Sequence, residues 1–126
     1  MTITRNRLRY RGKSSKLERR FELLWRILNG PELVREFEFH PERKWRVDFA
    51  HIPSRTLIEI EGGIWIQGRH NRSAGFITDI EKYNEATFTG WRLFRLADVH
   101  LTIEVVERVR NAIVLEVPTE AERSLQ

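Results

Sequence analysis

Three carboxylates near the middle of the chain are spaced so that they can act together. Asp48 lies in the stretch Trp45-Arg-Val-Asp-Phe-Ala, and Glu59 and Glu61 lie in Leu57-Ile-Glu-Ile-Glu-Gly-Gly. Side chains alternate across a strand, so Glu59 and Glu61 share one face. If the two segments pair as a hairpin, all three acids converge on one patch. A divalent cation offsets the cost of gathering such charges away from water, and oxygen ligands without cysteine suit Mg²⁺ or Mn²⁺.

The alternative interpretation of these acids is an amphipathic hairpin with one solvated acidic face, which is common in antiparallel sheets. Gly62-Gly63, directly after the acids, favours a site because glycine lets a ligand or another backbone approach closely. A simple turn would have the same composition. The acids alone do not decide between the two interpretations.

A loop from Gly62 to about Ser73 follows, and it carries Arg69, His70 and Arg72. Arginine presents a fork of donors that fits phosphate oxygens, and histidine shuttles protons or binds phosphate. These residue types favour a phosphate-binding role. A charged surface loop is the alternative, and for His70 alone it is the preferred one.

The helix predicted after this loop holds Asp79, Lys82 and Tyr83. Residues 79 and 82 are neighbours on one helical face. An ammonium beside a bound cation would stabilise the charge that develops in a transition state, or orient the attacking water. The alternative is an ordinary Asp–Lys surface pair.

The composition bounds the rest. The chain has 126 residues, which fits one domain, and it has no cysteine, which excludes disulfides and zinc–thiolate sites. No apolar run approaches the roughly 20 residues that span a bilayer, and the start lacks a signal-peptide core. We therefore expect no membrane association, and a location in the cytoplasm, or in a host's cytoplasm if the protein is phage-encoded.

Positive charge is concentrated at the start of the chain. Residues 1–20 hold eight basic residues and one acid, a net +7, so the remaining residues sum to −3 within the total of +4. Basic residues at every second position suit an extended arm along phosphates. A solubilising tail is the alternative. The alternating residues are Arg5, Arg7, Arg9, Arg11 and Lys13.

Hydrophobic periodicity predicts an α/β domain with the order α-β-β-β-α-β-α. Strands that meander first and cross over later imply a mixed four-stranded sheet flanked by helices, or five strands if Ile113–Val117 forms an edge strand instead of extending the last helix. We expect a basic arm over 1–13, the domain over 14–117 and a tail over 118–126. The predicted elements are a helix capped by Ser14-Ser15 and running to about Leu28, strands at Val34–Phe39, Trp45–His51 and Thr56–Gly62, a helix from about Ala74 to Thr87, a buried strand at Trp91–Leu96 and a helix capped by Asp98.

Side-chain directions follow from the same periodicity. In the second helix, Phe76, Ile80, Tyr83 and Thr87 are predicted to face inward. In the second strand, Val47 and Phe49 are predicted to share one face, opposite Asp48. The last helix is predicted to run to about Ala112, with Val99, Ile103, Val106 and Val109 roughly in register.

Over about residues 16–97 the chain resembles the PD-(D/E)XK nucleases, and within them the compact branch of very-short-patch-repair endonucleases and related small phage and bacterial proteins. Several motifs carry the resemblance in order, which is more specific than any one alone. They are Asp48-Phe-Ala, Glu59-Ile-Glu-Gly-Gly, Gly68-Arg-His, Asp79-Ile-Glu-Lys-Tyr-Asn and Gly90-Trp-Arg-Leu-Phe-Arg. The resemblance implies a restriction-endonuclease-like core and metal-dependent phosphodiester hydrolysis.

The resemblance also implies roles for individual residues. Asp48 and Glu59 match the two motif acids, and we expect them to hold Mg²⁺ or Mn²⁺ together with the Ile60 carbonyl. The position of the motif lysine is occupied by Glu61, which implies either a third acid ligand or a lysine supplied from elsewhere, with Lys82 the candidate.

Further acids and a cation are implied around this centre. Glu18 matches an acid on the family's first helix that contacts the cation or its water, with Glu22 as the substitute. Glu36 is a candidate outer acid, and Arg95 binds phosphate or pairs with an acid. A solvated-face role is the alternative for Glu18 and Glu22.

The expected function is a DNA endonuclease, acting on duplex or branched DNA such as a Holliday junction, with a homodimer suited to two-fold symmetric targets. A non-catalytic nucleic-acid-binding module with a decayed site, and an RNA nuclease, are the alternatives. The sequence does not distinguish among mismatch, restriction and junction substrates.

Overall fold

The computed structural model describes residues 15–62 and 74–116, and these form an α/β domain in the predicted order of elements. Four strands make one sheet, and helices lie on both of its faces. The elements are α1 (Lys16–Ile27), β1 (Val34–Glu38), β2 (Arg46–His51), β3 (Thr56–Glu61), α2 (Ala74–Phe88), β4 (Arg92–Ala97) and α3 (Ile103–Glu116).

The sheet is mixed, as predicted. Its strand order is β1-β2-β3-β4; β1 pairs with β2 and β2 with β3 antiparallel, whereas β3 and β4 run parallel. Parallel neighbours need a crossover connection, and α2 lies within it. Ile113 is buried within α3, so in the described part of the chain the last helix continues and no fifth strand begins there.

Two hydrophobic clusters hold the layers together. The larger joins α1 and α3 to one face of the sheet, and it includes Phe21, Phe49, Ile58 and Ile113. The smaller lies on the opposite face, where Ala86 of α2 packs with other apolar residues. Helices on both sides bury both faces of β3, so its outer-end acids are enclosed by protein.

Strand alternation is interrupted at the point where the acids lie. Phe49 packs in the larger cluster and Val47 in the smaller one, so the prediction that they share a face was wrong. Across the β1–β2 pair, Glu36 has a φ of 50°, in the left-handed region that disfavours side chains. The regular pairing of β1 with β2 omits Glu36 and Asp48, so the ladder is interrupted at the same position at which the side-chain order of β2 changes.

The ends of the helices agree in part with the sequence. The Ser15 hydroxyl accepts a hydrogen bond from the Glu18 N–H at 3.0 Å, a side-chain cap at the start of α1. The prediction that Asp98 caps the last helix was wrong. Asp98 begins a short 3₁₀ turn, α3 starts at Ile103, and the Thr102 hydroxyl accepts from the Val105 N–H at 3.3 Å.

The inward face of α2 is also different from the one predicted. Phe76 and Ile80 are 47% and 42% exposed, and Thr87 is exposed too. Of the four residues predicted to face inward, Tyr83 does so, since it is half-buried and its hydroxyl bonds Glu61 of β3. Ala86 is buried and Lys82 is half-buried on the same side. This part of α2 lies over the acidic end of β3, and those carboxylates require polar partners, so the polar stripe of the helix faces inward.

The C-terminal part of the domain is less buried than the sequence indicates. Leu96 is buried, but the other residues of β4 are half-buried or exposed, because β4 is an edge strand. Val99 is 78% exposed and Ile103 is 40% exposed, so these two do not line the core with Val106 and Val109.

Candidate metal centre

Asp48 and Glu59 are joined to one another's strands by reciprocal hydrogen bonds. Regular pairing of β2 with β3 extends from His51–Thr56 to Phe49–Ile58. At the next position, the Ile60 N–H donates to Asp48 Oδ2 at 2.7 Å, and the Asp48 N–H donates to Glu59 Oε1 at 3.0 Å. Carboxylates therefore replace the backbone ladder, which places both acids between the two strands.

Lys82 of α2 places its side-chain ammonium beside the Asp48–Glu59 pair. Its Nζ lies 2.7 Å from Glu59 Oε2, and the side chains of Lys82 and Glu59 are 14% and 12% exposed. The lysine reaches across to β3 and does not pair along its own helix with Asp79. An ammonium has three donors, so two remain for other oxygen atoms.

A second group of acids meets Asp48 from the opposite direction. One carboxylate oxygen each from Glu18, Glu36 and Asp48 lie within 4.8 Å of one another. Two oxygens on one divalent cation, at about 2.1–2.4 Å each, are separated by at most about 4.8 Å. The spacing therefore suits a hard cation. These three acids come from α1, β1 and β2. The sequence predicted Glu18 as an acid that contacts the cation or its water, and Glu36 only as an outer acid.

Arg35 is a charged residue of the site that the sequence analysis did not identify. Its guanidinium contacts Glu22, lies 2.9 Å from Glu18 Oε1, and stacks over the Phe49 ring at 5.0 Å. The side chain is only 12% exposed. An arginine inside an alternating apolar strand was the available signal, because such a residue is rarely buried without a partner. The Glu22 carboxylate is therefore paired with Arg35.

Burial and neighbouring charges act on the acids that face this centre. Burial, followed by the charges of Glu59 and Glu18, raises the pKa of Asp48 to about 8. Burial, then the charge of Glu18, also raises the pKa of Glu36. A raised carboxyl pKa means that negative charge is unfavourable at this position without further compensation. Either a proton or a cation supplies that compensation.

Glu61 lies two residues after Glu59 on β3 and has hydrogen-bond partners of its own. Its Oε1 accepts a hydrogen bond from the Tyr83 hydroxyl at 3.2 Å and from Arg95 Nε at 2.6 Å. Glu59 and Glu61 both turn toward α2, which confirms that they share a face, opposite Ile58 and Ile60 in the larger cluster. Burial, then the charges of Glu59 and Glu61, raises the pKa of Tyr83.

The remaining candidates divide by position. The Ile60 side chain packs in the core, while its N–H binds Asp48. At Gly62, the nearest atom that a side chain would meet is Leu17 Cδ1 at 3.7 Å, an ordinary contact, so no described group requires glycine there. The predicted phosphate-binding residues outside the described ranges are Arg5, Arg7, Arg9, Arg11, Lys13, Arg69, His70 and Arg72.

Comparisons of the chain with protein-family models, with curated proteins and with solved structures found no match. Among the residues that the structure describes, no helix has the length and apolar character needed to cross a membrane. The function must therefore be argued from the centre itself.

Proposed function

We propose that the protein is a metal-dependent endonuclease of the PD-(D/E)XK type, with a restriction-endonuclease-like core, that hydrolyses phosphodiester bonds of DNA. The observation that carries the proposal is the reciprocal bonding of Asp48 and Glu59 across two adjacent antiparallel strands, with Lys82 on Glu59. Two acids and a lysine converge there although they are far apart in the chain.

The donor set fits Mg²⁺ or Mn²⁺. Every candidate ligand is an oxygen, which hard cations prefer, and the chain has no cysteine. Asp48, Glu59 and the Ile60 carbonyl would hold the cation, with Glu36 and Glu18 approaching Asp48 from the other side. When bound, the cation supplies Lewis acidity and lowers the pKa of a coordinated water.

The protein's own groups complete the reaction. Hydrolysis adds water across a P–O bond, breaks that bond and leaves a proton on the departing oxygen. Lys82, held within 2.7 Å of Glu59, is positioned to donate to a phosphate oxygen and to offset the charge that grows on it. Arg35 holds Glu18 in place while Glu18 and Glu36 orient water by accepting its hydrogen atoms.

The test is nicking of supercoiled plasmid in 10 mM Mg²⁺ or Mn²⁺. Asp48→Asn and Glu59→Gln are expected to lower the rate at least about 100-fold, since each removes a charge from the centre. Glu107→Gln serves as the matched control, because it makes the same chemical change on α3, where its acid lies beside Arg110 outside the centre. If both site variants fold normally and nick the plasmid at the wild-type rate, the assignment is refuted.

One observation favours a second candidate, a nucleic-acid-binding module without cleavage. The motif lysine position holds Glu61, and this acid is bonded to Tyr83 and Arg95. The same plasmid assay separates the two, because a binding module retards labelled DNA in a gel but leaves the plasmid supercoiled in every cation.

The substrate is tested with a panel of labelled duplex, mismatched, flapped and four-way DNA, together with the matching RNA. Preference for four-way DNA, cut symmetrically in both strands, would support a dimer on a two-fold symmetric target. Cleavage of RNA alone would replace DNA with RNA in the proposal while leaving the centre unchanged.

A further inference from the structure

Arg95 is held in a defined position at the end of β4. Its Nε donates to Glu61 Oε1 at 2.6 Å, and the centre of its guanidinium lies 4.3 Å from the Tyr83 ring. The side chain is 48% exposed. Its two terminal nitrogens donate no hydrogen bond to any residue between 15 and 62 or between 74 and 116.

Glu61 and Tyr83 fix that position together. Glu61 is 14% exposed, and the oxygen that receives Arg95 also accepts the Tyr83 hydroxyl. Tyr83 therefore contacts Arg95 through its ring and Glu61 through its hydroxyl. The arginine is held through one nitrogen and one ring face, so the outer edge of its fork, formed by the two terminal nitrogens, is bonded to no residue within 15–62 and 74–116.

This edge lies beside the metal centre. In the parallel pairing of β3 with β4, Arg95 is the partner of Glu59, and Glu59 binds Lys82. The guanidinium and the Lys82 ammonium thus approach neighbouring acids of one strand from two different elements. A phosphodiester that reaches the centre would meet both cations.

The chemistry of the two terminal nitrogens indicates the kind of ligand that would fit this edge. Two parallel N–H donors of a guanidinium match the two non-bridging oxygens of a phosphodiester, a pairing that an ammonium cannot make. Holding the side chain in advance reduces the entropy that is lost when the ligand binds. An exposed arginine–carboxylate pair without the ring contact would be an ordinary surface ion pair.

We propose that Arg95 clamps the phosphodiester that enters the metal centre, and that Glu61 is a positioning residue that aims Arg95 and is not a ligand of the cation. The inference rests on the proposed nuclease function for the identity of that phosphodiester. The inference gives Glu61, which occupies the position of the motif lysine, a role in binding Arg95. The positive charge of the motif lysine is then supplied by two side chains, Lys82 on Glu59 and Arg95 on Glu61.

The first measurement is binding of a fluorescein-labelled duplex in EDTA over a range of KCl concentrations. Arg95→Ala is expected to weaken binding and to lower the steepness of its salt dependence by about one, since about one phosphate contact is lost. Glu61→Gln, which keeps an acceptor for Tyr83, should shift both quantities in the same direction by less. The double variant should bind no more weakly than Arg95→Ala alone.

The second measurement is plasmid nicking as a function of Mg²⁺ and of DNA concentration. Arg95→Ala should raise KM for DNA about tenfold and Glu61→Gln should raise it by less, while the Mg²⁺ concentration for half-maximal rate stays within about twofold of wild type for both. Arg95→Lys keeps the charge but not the two-donor edge, so it should restore the salt dependence without restoring KM. Glu107→Gln controls for the loss of an arginine-paired carboxylate.

Two results would overturn the clamp. One is a tenfold rise in the required Mg²⁺ for Glu61→Gln with none for Arg95→Ala, which would make Glu61 a ligand. The other is an unchanged salt dependence in a folded Arg95→Ala protein. Failure of the nuclease proposal looks different: wild type would cut nothing in any cation, and the EDTA binding series would still decide whether Arg95 contacts phosphate.

Discussion

The acids on the two sides of the β2–β3 junction differ in how their charge is balanced. On the α2 side, Glu59 and Glu61 each have a cation of their own, Lys82 and Arg95. The α1 side consists of three carboxylates that lie close together, those of Glu18, Glu36 and Asp48. Arg35 pairs with Glu18 on this side and also with the neighbouring Glu22. Asp48 lies between the two sides, and burial, followed by the charges of Glu59 and then Glu18, raises its pKa.

The difference indicates separate tasks for the two sides. A carboxylate that is bonded to a lysine or arginine side chain holds that side chain in position for a further ligand. Carboxylates that repel one another instead attract a metal ion. Under the proposed function, the acids around Asp48 would hold Mg²⁺, with Glu59 shared between the cation and Lys82, and Lys82 and Arg95 of the α2 side would contact the phosphate. Four changes test this division, from the largest expected effect to the smallest.

Removing Arg35 should have the largest effect on folding. Arg35→Met removes the guanidinium that pairs with Glu18 and Glu22 and is expected to lower the free energy of unfolding by about 3 kcal/mol, because it leaves the mostly buried Glu18 carboxylate without that counterion. Urea denaturation measures the loss. Arg20→Met, which breaks an exposed pair with Asp98, should cost less than about 1 kcal/mol. Equal losses for both variants would show that the α1 side does not depend on Arg35 for its balance.

Removing the Lys82 ammonium should affect catalysis more than folding. Lys82→Met is expected to slow plasmid nicking about 100-fold at saturating Mg²⁺, since a charge that stabilises the transition state is lost. The required Mg²⁺ concentration should change little. Lys44→Met makes the same chemical change at an exposed position and should leave the rate unaltered. A rate within threefold of wild type would end the catalytic assignment of the α2 side.

The charge deficit at Asp48 predicts a dependence of stability on pH. Because its pKa in the folded protein, about 8, lies above the ordinary value of 3.8, the folded state binds the extra proton. Stability is therefore fully present below pH 4 with respect to this group, and is lost as pH rises through about 8. In EDTA, Tm should fall between pH 5 and pH 8.5. Asp48→Asn should flatten most of that decline, and an equally steep decline in the variant would place the cause elsewhere.

The smallest effect concerns the backbone of Glu36. Its φ of 50° is unfavourable for a side chain, so Glu36→Gly should raise the free energy of unfolding in EDTA by about 1 kcal/mol and also relieve repulsion with Glu18. Asn29→Gly is the control, since Asn29 has a φ of 54° and asparagine tolerates that conformation, so it should change stability by a few tenths of a kcal/mol. Destabilisation by Glu36→Gly would mean that the side chain contributes to folding without a cation.

Local features of the domain were predictable from residue order. Apolar periodicity located the three helices and four strands within residues 15–62 and 74–116, and Ser15 marked the start of α1 as expected. The two antiparallel connections and the later crossover also followed, because short turns join antiparallel strands while a parallel neighbour needs a long connection. Boundaries were displaced by only a few residues, except at α3, where the 3₁₀ turn at Asp98–His100 delays the helix.

The directions of side chains were less predictable where the elements meet the acids. Period-two reasoning failed at Val47 because the strand is distorted beside Asp48, and period-3.6 reasoning failed at Phe76 and Ile80 because it assumes an apolar neighbour. The inward side of α2 is set by the carboxylates beneath it, which belong to a different part of the chain.

By itself the sequence determined the order of the elements, the mixed sheet and the shared face of Glu59 and Glu61, since periodicity and turn residues are local properties. Only the tertiary structure decided the charge pairing: that Lys82 binds Glu59, that Arg35 binds Glu18 and Glu22, and that Arg95 binds Glu61. Such pairs join residues 13 to 34 positions apart, and the strength of each depends on a distance and a degree of burial that no local pattern encodes.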